Sequence, residues 1–491
     1  MLKDIKYTIK NSAIYGLSRI STKLVSLILI PLYTTKFSSD AIANINLLES
    51  FWQYVFTLCM FALETAIINF CAAEDSFSKR KKLLFNFFSI LLINSIIVFA
   101  LGYLFSGQLS EFILKSSNFK VVIIYCLTIS VFESLLIMPL TIARLNNKPI
   151  LYSVIIVSNL LLNLFLQILF ILYFKYNFDS IFIAKFIAPF ILFVLFLPYT
   201  LKNLELNINF YDIKEIIKFS FPLMIASLVS ILLNTFDRFI LTDFVSDLNV
   251  AIYTIGYSLG SVTNAFIVAP FTLAINVIFW NKIKEENIER FLTKSATYLY
   301  FVMILTSLII SFFLPYFIKI IVRNESLWAS VDIVPYILFS NCISSLFVFF
   351  SLSFYYKRKT NRILLITSVC LIFNIVFNFI FIRYFGIYAS AVLTIISYLL
   401  MVYLGYNLSK KLYRVKFEIY KLTLLSILFV LIYFLTILIN LEVLYDILLK
   451  ILLIFLFVFI LHILKFFEPI EIERIFGFFN KYIFQKIKFR K

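Results

Sequence analysis

SNLLLNLFLQILFILYF (Ser158–Phe174) aligns with VCLIFNIVFNFIFIRYF (Val369–Phe385) at a single offset of 211 residues. Asn163 falls on Asn374, Gln167 on Asn378, and Tyr173-Phe174 on Tyr384-Phe385; the preceding loops align as well, Lys148 on Lys359. Each run is apolar and close to the roughly 20 residues that a helix needs to cross a hydrocarbon core. Similarity between two membrane segments this far apart points to an internal repeat. Two shorter matches keep nearly the same register. "KNS" at Lys10 resembles "KFS" at Lys218, and "SSD" ending at Asp40 resembles "VSD" ending at Asp247.

Working outward, apolar runs of this length recur from end to end. The chain has 491 residues, of which 62% are hydrophobic and 14% charged. A soluble core could not hide that much apolar surface. About fourteen helical spans are expected, centred near Lys23, Leu58, Ile93, Ser130, Leu161, Ala188, Leu228, Asn264, Thr306, Leu346, Phe373, Ile395, Phe429 and Phe455. The breaks between them ("EDSFSKRKK", "RLNNKP", "YYKRKTNR") are short and polar, too short for an extramembrane domain.

Sorting cations by alternate sides tests that count. With the N-terminus inside, 32 Lys and Arg fall on the cytoplasmic side and 8 outside, Lys450 among the 8. One missed helix would swap every later loop, so the bias supports the count and places both termini in the cytoplasm. It also accounts for a net charge of +18 without nucleic acid. Six helices per half, an even number, give both halves one orientation. The expected fold is therefore an all-α polytopic membrane protein with about fourteen transmembrane helices. Residues 1–205 and 206–412 would form two pseudo-symmetric six-helix lobes, and residues 413–491 two additional helices and a basic cytoplasmic tail. The five Cys stand singly in apolar runs and read as small core residues. The first run is too long and too charged for a cleaved signal, so it is kept as a span.

Charge inside a span costs about 2.5 kcal/mol or more, so such groups face a partner or a wet cavity. In the first span Asn11, Tyr15, Arg19, Lys23 and Ser26 recur at threes and fours, forming one polar stripe. Its repeat mate carries Ser227, Ser230, Asn234 and Asp237, with Arg238 alongside. Glu64, Glu133 and Lys185 complete the ionisable set. Two readings stay open for Arg238: neutralising Asp237, or reaching the outer surface. Asn163, Gln167, Asn374 and Asn378 read as helix-to-helix hydrogen bonds rather than ligands. Arg19 and Lys23 have no carboxylate on their helix, and a cationic stripe in a cavity calls for an anion. A guanidinium fork and a compact ammonium suit a diphosphate, with hydroxyls and amides for sugar.

Catalytic patterns are missing from the sequence. The one His, His462, lies late in the last span, and there is no metal-ligand cluster, Gly-rich phosphate loop or nucleophile elbow. No enzyme activity, metal or cofactor is expected. Without a nucleotide-binding domain, energy would come from an ion gradient, Na+ or H+, with Asp237, Glu64 and Glu133 as coupling candidates, or from the cargo's own gradient.

"KNSAIYGLSRISTKLVSLILIPLYTTKFS", with its mid-helix cations and Pro-x-Tyr exit, resembles the N-terminus of bacterial polysaccharide (O-antigen) flippases. "FNIVFNFIFIRYFGIYASAVLTIISY" (Phe373–Tyr398) resembles a later signature of that family, within the multidrug/oligosaccharidyl-lipid/polysaccharide exporter superfamily. Two departures concern loop geometry: "SSDAIANINLL" lacks a glycine after the outer loop, and Tyr388 replaces a small residue. The resemblance implies two six-helix lobes and alternating access. It implies carriage of undecaprenyl-diphosphate-linked oligosaccharide (O-antigen, capsule or exopolysaccharide units) to the outer leaflet of the bacterial inner membrane. Arg19 and Lys23 would contact the lipid diphosphate. Asn11, Tyr15, Ser26, Ser227, Ser230, Asn234, Lys185 and Arg238 would line the cavity. The protein would act as a monomer beside other polysaccharide assembly proteins. Alternatives are a peptidoglycan-precursor flippase or a cation-coupled drug exporter, although a basic lumen disfavours cationic drugs. A polysaccharide polymerase would need a longer outer loop.

Overall fold

The computed structural model describes residues 29, 32, 36–37, 39–71, 74, 76–114, 116–173, 179–283, 285, 287–322, 325–410, 417–439 and 441–468. Asn11, Tyr15, Arg19, Lys23 and Ser26 of the first expected span lie outside them. The described residues form helices throughout. They are α1 (Ser39–Met60), α2 (Leu63–Cys71), α3 (Phe77–Leu104), α4 (Ser106–Leu114), α5 (Lys120–Leu145), α6 (Pro149–Ile168) and α7 (Asp179–Lys202) in the first half. The second half has α8 (Phe210–Phe244), α9 (Asp247–Gly260), α10 (Ala269–Lys282), α11 (Ile288–Ile321), α12 (Val334–Ser345), α13 (Phe347–Tyr356) and α14 (Asn361–Ser409). Two more follow, α15 (Ile419–Leu438) and α16 (Val443–Ile463).

Twelve helical stretches among the described residues are long and apolar enough to cross a membrane. The longest, α14 with 49 residues, is two helices joined at Gly386, whose backbone (φ 55°, ψ −139°) is closed to ordinary side chains. Counting α14 twice gives thirteen, matching the expected spans after the first. Helices are the physical default here, because in lipid every backbone N–H and C=O must be satisfied within the segment. Large exposed apolar side chains such as Leu104, Phe165 and Phe455 are the lipid-facing surface.

The fold is two pseudo-symmetric helical lobes plus two helices. In the first lobe α5 packs on α1, α3 and α7; in the second α14 packs on α8, α12 and α13. The additional pair attaches through α11, which contacts both α15 and α16. One apolar core continues across both lobes, from Leu63 and Phe70 through Phe219 to Phe350 and Met401.

The repeat is visible bond by bond. The αL residue after α5 is Asn147 (φ 51°) and the one after α13 is Arg358 (φ 52°). In the first loop the N–H of Asn147 donates to the carbonyl of Arg144 at 3.0 Å and that of Lys148 to Ala143 at 2.8 Å. In the second, Arg358 donates to Tyr355 at 3.0 Å and Lys359 to Phe354 at 2.8 Å. Every one of these positions is related by the offset of 211. Within the spans, Gln167 donates its amide to Asn163, and Asn378 does the same to Asn374 at 2.9 Å. These amide pairs lie within one helix, one turn apart. The expected bond between helices is present for Asn374, which donates to Ser397 at 3.1 Å.

Candidate functional site

The lobes meet at the end of the molecule that carries Arg80–Lys82, Lys218 and Lys357–Lys359, here termed the basic face. Asn69 at the end of α2 donates to the carbonyl of Tyr355 at 2.8 Å. The guanidinium of Arg358 lies 3.9 Å from the centre of the Phe70 ring, and Phe70 meets Phe219 edge-on at 5.6 Å. Deeper along the seam, Tyr54 of α1 and Thr235 of α8 approach to 3.4 Å. The segment between lobes is also fastened at this face: the N–H of Glu205 donates to Lys81 at 3.3 Å and that of Asn209 to the Asn86 side chain at 3.3 Å.

Beside these contacts lies a cavity of about 260 Å³ with one wall from each lobe, including Glu64, Asn69 and Arg144 on one side and Thr272, Asn276 and Trp280 on the other. Glu64 and Arg144 form an ion pair at 2.6 Å. Arg144 is almost wholly buried and also reaches the carbonyl of Leu273 on α10 at 3.4 Å. From the sequence alone Arg144 belongs with the loop cations of "RLNNKP". The structure instead places it in the last turn of α5, where Glu64 matches its charge. The available signal was Glu64 itself, a carboxylate within a span that requires a partner.

Lys185 is paired within its own lobe. Its ammonium contacts Glu49 and lies 5.1 Å from the centre of the Trp52 ring, with Glu133 within electrostatic reach. Glu49 was not singled out from the sequence. Lys450, counted above with the outer loops, lies two turns inside α16, where it donates to Asp446 at 2.7 Å and to Tyr316 at 3.1 Å. The i, i+4 spacing of Asp446 and Lys450 carried that information.

In the second lobe, Asp237 is buried on α8 and accepts from the hydroxyls of Tyr253 and, at 3.2 Å, Ser390, and from the backbone N–H of Arg238 at 2.9 Å. Between Asp237 and Arg238 the pairing is not side chain to side chain. The Arg238 guanidinium lies 4.7 Å from the centre of the Tyr257 ring. One turn earlier, Asn234 accepts from Tyr257 at 2.9 Å and Tyr398 at 2.6 Å. Ser227 and Ser230 donate to carbonyls of their own helix, Leu223 at 2.9 Å and Ala226 at 2.8 Å. This part of the predicted stripe thus becomes a polar core joining α8, α9 and α14. The diphosphate residues Arg19 and Lys23 lie outside the described residues. Among the described residues no group of His, Cys, Asp and Glu could hold a metal ion through three such side chains.

Residues 8–279 match the model of the family described as polysaccharide biosynthesis protein. The chain belongs to that family. Its fold is that of a larger group of transporters. It resembles a mutant of the Vibrio cholerae MATE transporter VcmN, with a TM-score of 0.70 at 14% identity over 83% of this chain and 96% of the other. It also resembles the lipid II flippase MurJ in an inward closed conformation, with a TM-score of 0.63 at 16% identity over 92% of this chain and 99% of the other. No curated protein matches significantly. The fold is therefore the one that the resemblance implied, and this member of the polysaccharide biosynthesis family is a multi-pass membrane protein.

Proposed function

We propose that the protein is a flippase that moves undecaprenyl-diphosphate-linked oligosaccharide from the inner to the outer leaflet of the bacterial inner membrane by alternating access. The observation that supports this most is the polar cavity shared by two lobes, with hydrogen bonds running between the lobes along its wall. A transporter must open and reseal such a seam, and the polar links across it are hydrogen bonds that water can replace. By the charge sorting, the basic face is the cytoplasmic one.

In this reading Arg19 and Lys23 bind the lipid diphosphate, and the polar groups of the seam meet the sugar. Asp237 is the favoured coupling group for Na+ or H+, because its buried carboxylate is met by hydroxyl and N–H donors and has no side-chain ion pair among the described residues. Glu64 has its charge matched by Arg144. O-antigen, capsule and exopolysaccharide units remain equivalent as cargo.

The test is leaflet exchange of a fluorescent polyprenyl-diphosphate sugar by the purified protein in vesicles. Wild type should exchange it, and Arg19→Ala/Lys23→Ala should insert normally yet lose most activity. Wild-type rates in the double variant would reject the assigned diphosphate contacts. No exchange by wild type would reject the flippase reading.

A further inference from the structure

The loops after α5 and α13 share a backbone and differ in charge. Both turn through an αL residue with the same two hydrogen bonds. The first loop carries Asn146, Asn147 and Leu151 where the second carries Lys357, Arg358 and Arg362. The first loop demonstrates that this turn needs no such cations. Asn is also among the few side chains enriched at positive φ, whereas Arg gains nothing there. Arg358 thus stands at a position its backbone disfavours, and the turn alone gives no reason for a cation there.

The extra cations converge on a space. Lys218 on α8 joins Lys357, Arg358, Lys359 and Arg362 around a cavity of about 480 Å³ at the basic face, five cations against the single carboxylate of Glu215. Glu215 faces Lys218 loosely, at 3.8 Å. Arg358 packs on Phe70 of the other lobe, and a stacked guanidinium keeps its N–H edge for hydrogen bonding.

We propose that this cavity binds lipid-borne phosphate, with Lys357, Arg358, Lys359 and Arg362 holding the phosphate oxygens. Guanidinium forks and ammonium charges match that ligand, and a basic pocket between the ends of two candidate spans suits an anionic headgroup. Two lipids carry this chemistry, a polyprenyl diphosphate and an ordinary anionic phospholipid. The polyprenyl arm rests on the flippase reading; the phosphate site itself does not.

The test uses the full-length protein in detergent and native mass spectrometry with polyprenyl diphosphate, phosphatidylglycerol and phosphatidylcholine. The variant Lys357→Asn/Arg358→Asn/Arg362→Leu copies the first loop and should melt as wild type does. It should lose roughly tenfold or more of its preference for the anionic lipid over phosphatidylcholine. Loss confined to polyprenyl diphosphate assigns the cargo lipid, and loss confined to phosphatidylglycerol assigns bulk phospholipid. Lys359→Gln/Arg362→Leu, which leaves the αL residue intact, repeats the measurement should the triple variant be unstable. Unchanged binding of both anionic lipids, or an equal fall for phosphatidylcholine, overturns the site. Binding is read without transport, so a wild type that failed to exchange lipid would sink the flippase reading alone.

Discussion

Arg144 and Glu64 are 80 residues apart in sequence and 2.6 Å apart in space, and Arg144 is only 3% exposed. Removing one partner of a buried pair leaves an uncompensated charge, at a cost of about 3–5 kcal/mol, whereas removing both is far milder. Glu64→Gln should therefore lower the unfolding midpoint in detergent markedly. Glu64→Gln/Arg144→Met should recover most of that loss. A double-mutant cycle checks the coupling, and simple additivity would show that the two groups are independent.

What the sequence carried and what it did not follow from distance along the chain. Span count, the repeat and the Asn163/Asn374 correspondence are local or periodic, and they reappear as helices and matching hydrogen bonds. Pairings between distant helices leave no such trace. Arg144 looked like a loop cation because its helix extends one turn past the apolar run, and Lys185 gave no hint of Glu49. Asp237 beside Arg238 suggested an ion pair by adjacency, but neighbours on a helix point about 100° apart. Tyr253 and Ser390 therefore reach the carboxylate instead.

A second cluster should make stability sensitive to acid. Lys294 on α11 contacts Glu418 at 2.8 Å and Glu468 at 2.6 Å, fastening α11 to the start of α15 and the segment after α16. The hydrogen bond from Lys294 holds the Glu468 carboxyl below its ordinary 4.5. Burial pushes Glu418 upward, but hydrogen bonds from Lys294 and Thr297 outweigh it and the net direction is also down. Groups depressed in the folded state stabilise it above their ordinary value and cease to do so as pH falls through the folded value. Thermal stability should thus decline below pH 4.5. Lys294→Met should be less stable at neutral pH and show a flatter acid limb. An unchanged limb would remove this cluster as the cause.

Gly386 divides α14 at φ 55° and ψ −139°. A Cβ there would meet Val245 at an unstrained 3.9 Å, so space is available and the backbone alone is the obstacle. Gly386→Ala should cost on the order of 1–3 kcal/mol through that conformation, without a cavity or clash. Gly405→Ala is the contrast, since its Cβ would lie 2.9 Å from the Phe350 ring and act through packing. Truncating Phe350 to Leu should ease Gly405→Ala and leave Gly386→Ala unchanged, read as unfolding midpoints in detergent.

Asp237 separates structure from coupling. Its oxygens receive three donors, so Asp237→Asn retains most of the network and exchanges one accepting oxygen for an amide, a change of about 1 kcal/mol when one bond is lost. Charge, by contrast, is lost completely. If this carboxylate couples an ion to transport, Asp237→Asn should still fold and still equilibrate lipid between leaflets, yet ignore an imposed Na+ or H+ gradient. Ser390→Ala removes one donor at 3.2 Å and keeps the charge, so it should keep the gradient response. Measuring initial exchange rates with and without each gradient distinguishes the two variants. A gradient response in Asp237→Asn equal to wild type would move the coupling group elsewhere, with Glu133 beside Lys185 the next carboxylate to substitute.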